Sequence, residues 1–248
     1  MTARVILLAA WILAALLATA ACGTRDSAPG RPPADSQPIP PAKIMDFNFL
    51  YARNCAGCHG PGGKGGAAIG LGDPVYLAIA DDATIRRVTA NGVPGTAMPA
   101  FAQHSGGTLT DDQINVIIAG IRARWAKPDA FRGADAPPYR AVSPGDPKRG
   151  VSVYGVYCSS CHGADGRGGR ASSIVNGSYL GLVSDQNLRT TVIVGRPDIG
   201  APDWRNDVPG KPMSPEDVSD DVAWLAAQRP QFPGQPYASV LQPEGGIR

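Results

Sequence analysis

One fixed offset constrains this chain more than any other feature. From Tyr51 to Phe101 every residue has a counterpart 103 positions later, and the series runs to Trp204 without a gap. Cys55 falls on Cys158, His59 on His162, Gly92 on Gly195, Pro94 on Pro197 and Pro99 on Pro202. Such a chain of 248 residues reads as two copies of one small domain rather than one large core. Glycine (31) and proline (24) are abundant and aromatic residues make up 6%, which suits loop-rich units. Units that small bury too little surface to be robust alone and need an added apolar centre.

Each copy carries the same pentapeptide. Cys55-Ala56-Gly57-Cys58-His59 recurs as Cys158-Ser159-Ser160-Cys161-His162. Two cysteines two residues apart, followed at once by histidine, are what covalent attachment of a c-type haem requires. The sulfurs form thioethers with the vinyl groups, and the histidine reaches the iron from the proximal side. A zinc site would want four nitrogen or sulfur ligands, and each motif offers three. Four of the five cysteines are thereby used, so structural disulfides are not expected.

The chain divides by composition. Residues 1–21 read as a secretory signal, with Arg4 ahead of an apolar run from Val5 to Leu17 that is too short to span a membrane comfortably. Small residues then precede the fifth cysteine, Cys22. Lipidation of Cys22 as the mature N-terminus would account for it; ordinary cleavage near Ala21 would leave a free thiol. Residues 22–41, rich in Pro, Ala and Ser, read as a flexible tether. The first domain is expected over 42–126. In it Ile44, Phe47, Leu50 and Tyr51 form a helix leading into Cys55, and a glycine-rich loop follows His59. Asp81 and Asp82 open a further helix that ends at Gly92, and Thr110 caps a last one. Residues 127–148, with five prolines, read as a semi-stiff spacer. The second domain covers 149–229, its last helix capped by Ser214 with Pro215 following. An irregular tail takes up 230–248. The fold class expected is mainly α: two tandem domains of a few short helices and long irregular loops, each wrapped around a haem.

Attachment helix, pentapeptide, glycine-rich loop, short helix, methionine-bearing loop and terminal helix together resemble class I cytochrome c, twice over. The resemblance covers about three quarters of the chain. It implies Met98, in the Met98-Pro99 dipeptide, as the sixth ligand of the first iron, a soft neutral thioether that favours reduced iron. The second copy departs from the pattern, because Ala201 stands in register with Met98 and cannot bind iron. Met213 is the one downstream methionine. It either reaches the second iron on the loop 203–212 or packs on Val218 as a hydrophobic staple beside Ser214. Arg86 and Arg189 hold matching helix positions that suit either a haem propionate or a solvated face. Tyr51 and Tyr154 are expected to pack in the haem pockets, Phe101 and Trp204 to close them, and His104 to lie on the surface.

The function implied is electron transfer through two c-type haems, between a quinol-oxidising complex and a terminal oxidase or other acceptor. Partners would be membrane electron-transfer complexes or other cytochromes. The place would be the periplasmic face of a bacterial membrane, with the lipid at Cys22 as anchor. A net charge of +2 gives no pull toward nucleic acid. The competing reading is a dihaem enzyme or ligand sensor, peroxidase-like or thiosulfate dehydrogenase-like, that uses an open second haem.

Overall fold

A computed structural model of the chain describes residues 38–205 and 208–230. The expected leader, Cys22, most of the tether and the tail beyond Pro230 lie outside the described residues. Pro41–Lys43 form a single 3-10 turn. From Ile44 to Pro230 the described residues form one compact unit that includes both repeats. Among the described residues there is no β-strand, only the isolated bridges Ala102–Leu109 and Arg196–Ala201. None of their helices is long and apolar enough to cross a membrane.

The first repeat has five helices: α1 (Phe47–Asn54), α2 (Ala56–His59), α3 (Pro74–Ile79), α4 (Asp82–Asn91) and α5 (Asp111–Trp125). The second has α6 (Pro147–Tyr157), α7 (Ser159–His162), α8 (Gly177–Leu182), α9 (Asp185–Val194) and α10 (Pro215–Ala227). Helices α2, α3 and α4 recur as α7, α8 and α9 at the same offset of 103 at both ends.

Side-chain caps fix these boundaries, since each satisfies backbone N–H groups that a helix start leaves open. Asp73 accepts from Val75 and Tyr76, and Asn176 from Ser178 and Tyr179. Asp81 and Ser184 cap α4 and α9. Thr110 with Gln113, and Ser214 with Asp217, form reciprocal capping boxes at α5 and α10. Gly92 (φ 66°) and Gly195 (φ 70°) end α4 and α9 in a backbone region that favours glycine.

The core follows the apolar face of each terminal helix. Ile114, Ile117, Ile118 and Ile121 are buried on α5, and Val218, Val222 and Leu225 on α10.

The segment 127–148 differs from the expected spacer. It is a strap laid along the second repeat. Pro137 is fully buried, the carbonyls of Pro138 and Tyr139 accept from Arg189 and Gln186, and the Phe131 ring meets Trp204 edge-on at 6.0 Å. Its prolines leave carbonyls with no helix or sheet to bond, and side chains of the second repeat take them. The strap hands directly into α6, which Asp146 caps, so the second repeat begins two residues ahead of the expected boundary at 149.

The repeats also touch each other. Ala97 N–H donates to the Leu182 carbonyl (3.2 Å), Gly65 N–H to Asp198 (3.0 Å) and Arg196 to the Gly66 carbonyl (2.8 Å).

Candidate cofactor-attachment sites

Both pentapeptides are built alike. Helix α1 ends on Cys55, whose backbone is still near-helical (φ −117°, ψ −39°), and α2 delivers Cys58 and His59 within one turn. Cys158, with φ −117° and ψ −33°, repeats the arrangement ahead of α7. Gly60 and Gly163, both at φ 82°, then turn the chain sharply. Each site is braced from behind by a tyrosine: Tyr51 donates to the Gly60 carbonyl at 2.9 Å, and Tyr154 to the Gly163 carbonyl. These tyrosines, 3% and 1% exposed, hold the turn as well as filling space.

The histidines are oriented in the same way. His59 Nδ1 lies 2.8 Å from the Ile69 carbonyl, and His162 Nδ1 lies 2.7 Å from the Ser172 carbonyl, ten residues on in each case. A carbonyl on Nδ1 fixes that nitrogen as the protonated one, which leaves Nε2 as the lone-pair donor. Burial pulls the His59 pKa down and so favours the neutral, ligating imidazole. The four pentapeptide cysteines form no disulfide; burial and the neighbouring Cys58 push Cys55 up to about 12. Two sulfurs and one directed imidazole nitrogen per turn of helix suit a covalently held haem.

A second loop follows α4 in the first repeat and α9 in the second. Val93 N–H donates to the Met98 carbonyl (3.0 Å), and Arg196 N–H to the Ala201 carbonyl (2.9 Å). A Cβ added to Gly92 would stand 2.8 Å from the Met98 carbonyl oxygen, and one added to Gly195 would stand 2.8 Å from that of Ala201. Ala201 therefore occupies the place of Met98 in space as well as in sequence.

Met213 takes a different place. Its N–H donates to the Trp204 carbonyl (2.9 Å), just as Leu109 N–H donates to the Phe101 carbonyl (2.8 Å). Met213 and Leu109 are 3% and 4% exposed. The loop expected to carry Met213 to the iron is one residue longer than its counterpart, and that residue is absorbed before the cap.

The matched arginines Arg86 and Arg189 do not share an environment. Arg86 is half-buried on α4. Arg189 is 2% exposed, donates to the Pro138 carbonyl through Nε (3.1 Å) and Nη2 (2.9 Å), and reaches Ser219 through Nη1 (3.1 Å). The sequence left Arg189 between a haem propionate and a solvated face; in the structure its guanidinium is buried and fastens the strap. His104 is exposed beside Asp111 at 3.8 Å.

Three features escaped the sequence reading. Arg122 donates to the Leu77 and Ala80 carbonyls and to Asp82. Arg229 donates to Leu180, Val183 and Asp185, their counterparts at offset 103. The two arginines are themselves 107 apart, so the register that revealed the repeat hid them. Asp221, 1% exposed, lies with Oδ1 3.9 Å from Cys158 Sγ, at the helix position that holds Ile117 in the first repeat. Arg170 donates to Cys161 Sγ at 3.0 Å.

Residues 42–119 match the family model described as cytochrome C oxidase, cbb3-type, subunit III. The cbb3-type oxidase subunit CcoP of Azospirillum sp. is 31% identical over 135 residues, which cover 50% of this chain and 40% of that protein. The cytochrome bc1 complex cytochrome c subunit of Mycobacterium leprae is 26% identical over 147 residues, covering 59% of this chain and 50% of its own. FixP of Sinorhizobium medicae, a cbb3-type oxidase subunit, is 28% identical over 138 residues, 51% of this chain and 41% of that one. The chain thus spans half or less of the length of these relatives. A component of the Kuenenia stuttgartiensis reducing HAO-like protein complex Kustc0457/Kustc0458 superposes with a TM-score of 0.44 at 17% identity, over 78% of this chain and all of that one. The family match lies on the first repeat and the relatives are cytochrome c subunits, so the helical fold described above is cytochrome c-like.

Proposed function

We propose that this chain is a dihaem c-type cytochrome that passes electrons between membrane respiratory complexes. The observation that carries the reading is the repeated site: a CxxCH turn whose histidine has Nδ1 held by a carbonyl ten residues on, in both halves. Cys55 and Cys58 would hold the first haem, with His59 and Met98 on its iron. Cys158, Cys161 and His162 would hold the second. A haem supplies an iron that changes oxidation state by one electron without breaking a bond to substrate.

The protein's own part is to bind and to space. The bonds between Gly65, Gly66, Arg196 and Asp198 fasten the loop that follows the first pentapeptide to the loop 196–201 of the second repeat. That arrangement supports exchange between the two sites. Relatives named as cbb3 oxidase and bc1 complex subunits support respiratory complexes as partners. Export to the periplasmic face, with a lipid at Cys22, completes the proposal and rests on the leader sequence alone.

Intact mass after acid–acetone extraction tests the reading. The expected mass exceeds the mature polypeptide by two haems. A chain that comes out colourless overturns it. Replacing Cys22 by Ala should release the protein from the membrane fraction.

A further inference from the structure

We infer that Met213 is a packing residue, that Ala201 faces the sixth position of the second haem, and that this position takes a small exogenous ligand. The inference rests on the proposal that each pentapeptide carries a haem.

Three observations carry it. The first is position. The bonds Val93 to Met98 and Arg196 to Ala201, and the matched approach of Gly92 and Gly195, put the methyl group of Ala201 where Met98 begins. The second is the fate of Met213. It shares its backbone bond and its burial with Leu109, a residue that cannot ligate. Its side chain is part of the buried core and its backbone adjoins the Ser214–Asp217 capping box, which fixes it in the place that Leu109 holds in the first repeat.

The third is rigidity. The loop 196–201 is closed on itself, with Ala201 N–H returning to the Arg196 carbonyl (3.0 Å). It is also pinned to the first repeat. Arg196 grips Asp198 through Nε (2.9 Å) and Nη2 (2.8 Å), and both reach the glycine loop at Gly65 and Gly66. A loop held at both ends does not swing another donor inward.

The first loop has no ion pair and no N–H returning from Met98 to Val93, and it meets the second repeat through Ala97 N–H on the Leu182 carbonyl (3.2 Å). There Thr96, not an ion pair, sets the turn, donating to the Val93 carbonyl at 2.8 Å. The ligand size follows from the same geometry. An alanine in place of a methionine frees room for the thioether end of one side chain. Diatomic and triatomic donors fit: cyanide or azide on ferric iron, carbon monoxide on ferrous iron.

The test uses the full holoprotein, after its two haems have been confirmed by mass. A count below two would sink the haem proposal itself and is thereby distinguished from failure here. With two haems present, the oxidised protein should show one sulfur-to-iron charge-transfer band per chain, and cyanide should bind at one haem equivalent. Met98→Ala should abolish that band. Met213→Leu, which keeps the apolar packing, should leave both the band and the cyanide stoichiometry unchanged. Ala201→Met should add a second band and cut cyanide binding at least tenfold. Two thioether bands in the unaltered protein, loss of a band in Met213→Leu, absence of cyanide binding, or unaltered cyanide binding in Ala201→Met would each overturn the inference.

Discussion

The two repeats solve one packing problem with their large and small residues exchanged. In the first, Phe47 on α1 lies over Gly120 on α5; a Cβ on Gly120 would stand 2.0 Å from the Phe47 ring. In the second, the position of Phe47 holds Gly150 on α6, and the position of Gly120 holds Trp224 on α10. A Cβ on Gly150 would stand 2.6 Å from Trp224 Cβ and 2.2 Å from the Asp220 carbonyl oxygen. The volume at the crossing is kept while its owner changes helix, which dense packing permits so long as the sum is held. Trp224 also packs on Tyr154 with centroids 4.2 Å apart and the rings tilted by 31°, while in the first repeat Trp125 meets Tyr51 edge-on at 5.2 Å. The lesson is that the repeat preserves contacts rather than residues.

This exchange can be broken most severely at Gly150. A methyl group there meets backbone, which cannot step aside, so Gly150→Ala should cost about 3 kcal/mol. Gly120→Ala meets a ring instead. Its cost should be smaller, and trimming Phe47 to Leu in the same chain should recover much of it. Urea unfolding of the three variants checks the asymmetry. Equal losses for both alanines would show that the two crossings are alike.

The arginine clamps sharpen the comparison from the other side, because here the repeats agree. Arg122→Met and Arg229→Met each remove charged donors from two carbonyls at the ends of α3 and α8. Each should cost about 2 kcal/mol. Hydrogen exchange should quicken in α3 and α4 for the first and in α8 and α9 for the second. If only one variant responds, the clamps are not equivalent.

Their history in the argument is instructive. The sequence pattern located the repeat, the helical turns that carry both pentapeptides, the caps at Asp81, Thr110 and Ser214, and the register of Ala201 with Met98, because each of these depends on local spacing. It missed α3 and α8, which follow glycine-rich stretches and are too short to show a period. It missed the strap over 127–148, since proline content says that a segment is stiff but not what it lies against. It left Arg189 between a propionate and a solvated face for the same reason. A side chain's partner is a tertiary fact, and offset alone could not tell a propionate from the Pro138 carbonyl.

Asp221 offers a contrast in charge. It puts a buried carboxylate beside Cys158 where the first repeat has Ile117. On the proposal that each pentapeptide holds a haem, an ionised Asp221 favours the ferric state of the second, and Asp221→Asn should then raise that potential by on the order of 60 mV, the one-electron equivalent of a tenfold change. Ile117→Asp should lower the first potential if it folds. A redox titration that finds both potentials unmoved by Asp221→Asn would remove charge from the account of how the sites differ.

The smallest effect expected belongs to the clamp that joins the repeats. Asp198 accepts from both Arg196 and Gly65, and the Arg196 hydrogen bonds draw its pKa down from the ordinary carboxylate value to about 2. A carboxyl depressed by folding adds stability that is fully present above its unfolded pKa, near 3.9, and is lost as pH falls through its folded one. The contribution should be on the order of 1 kcal/mol, less than the full shift implies because water reaches part of the pair. Stability measured by urea at stepped pH should therefore decline between about pH 4 and pH 2 more steeply in the unaltered protein than in Asp198→Asn. Toward about pH 1, below both pKa values, the two curves should converge, because the clamp is by then protonated. At pH 7 the variant should also expose the Gly65 amide to faster hydrogen exchange. Curves that run parallel over the whole range would mean that the bond joining the two repeats is a surface contact with no hold on either loop.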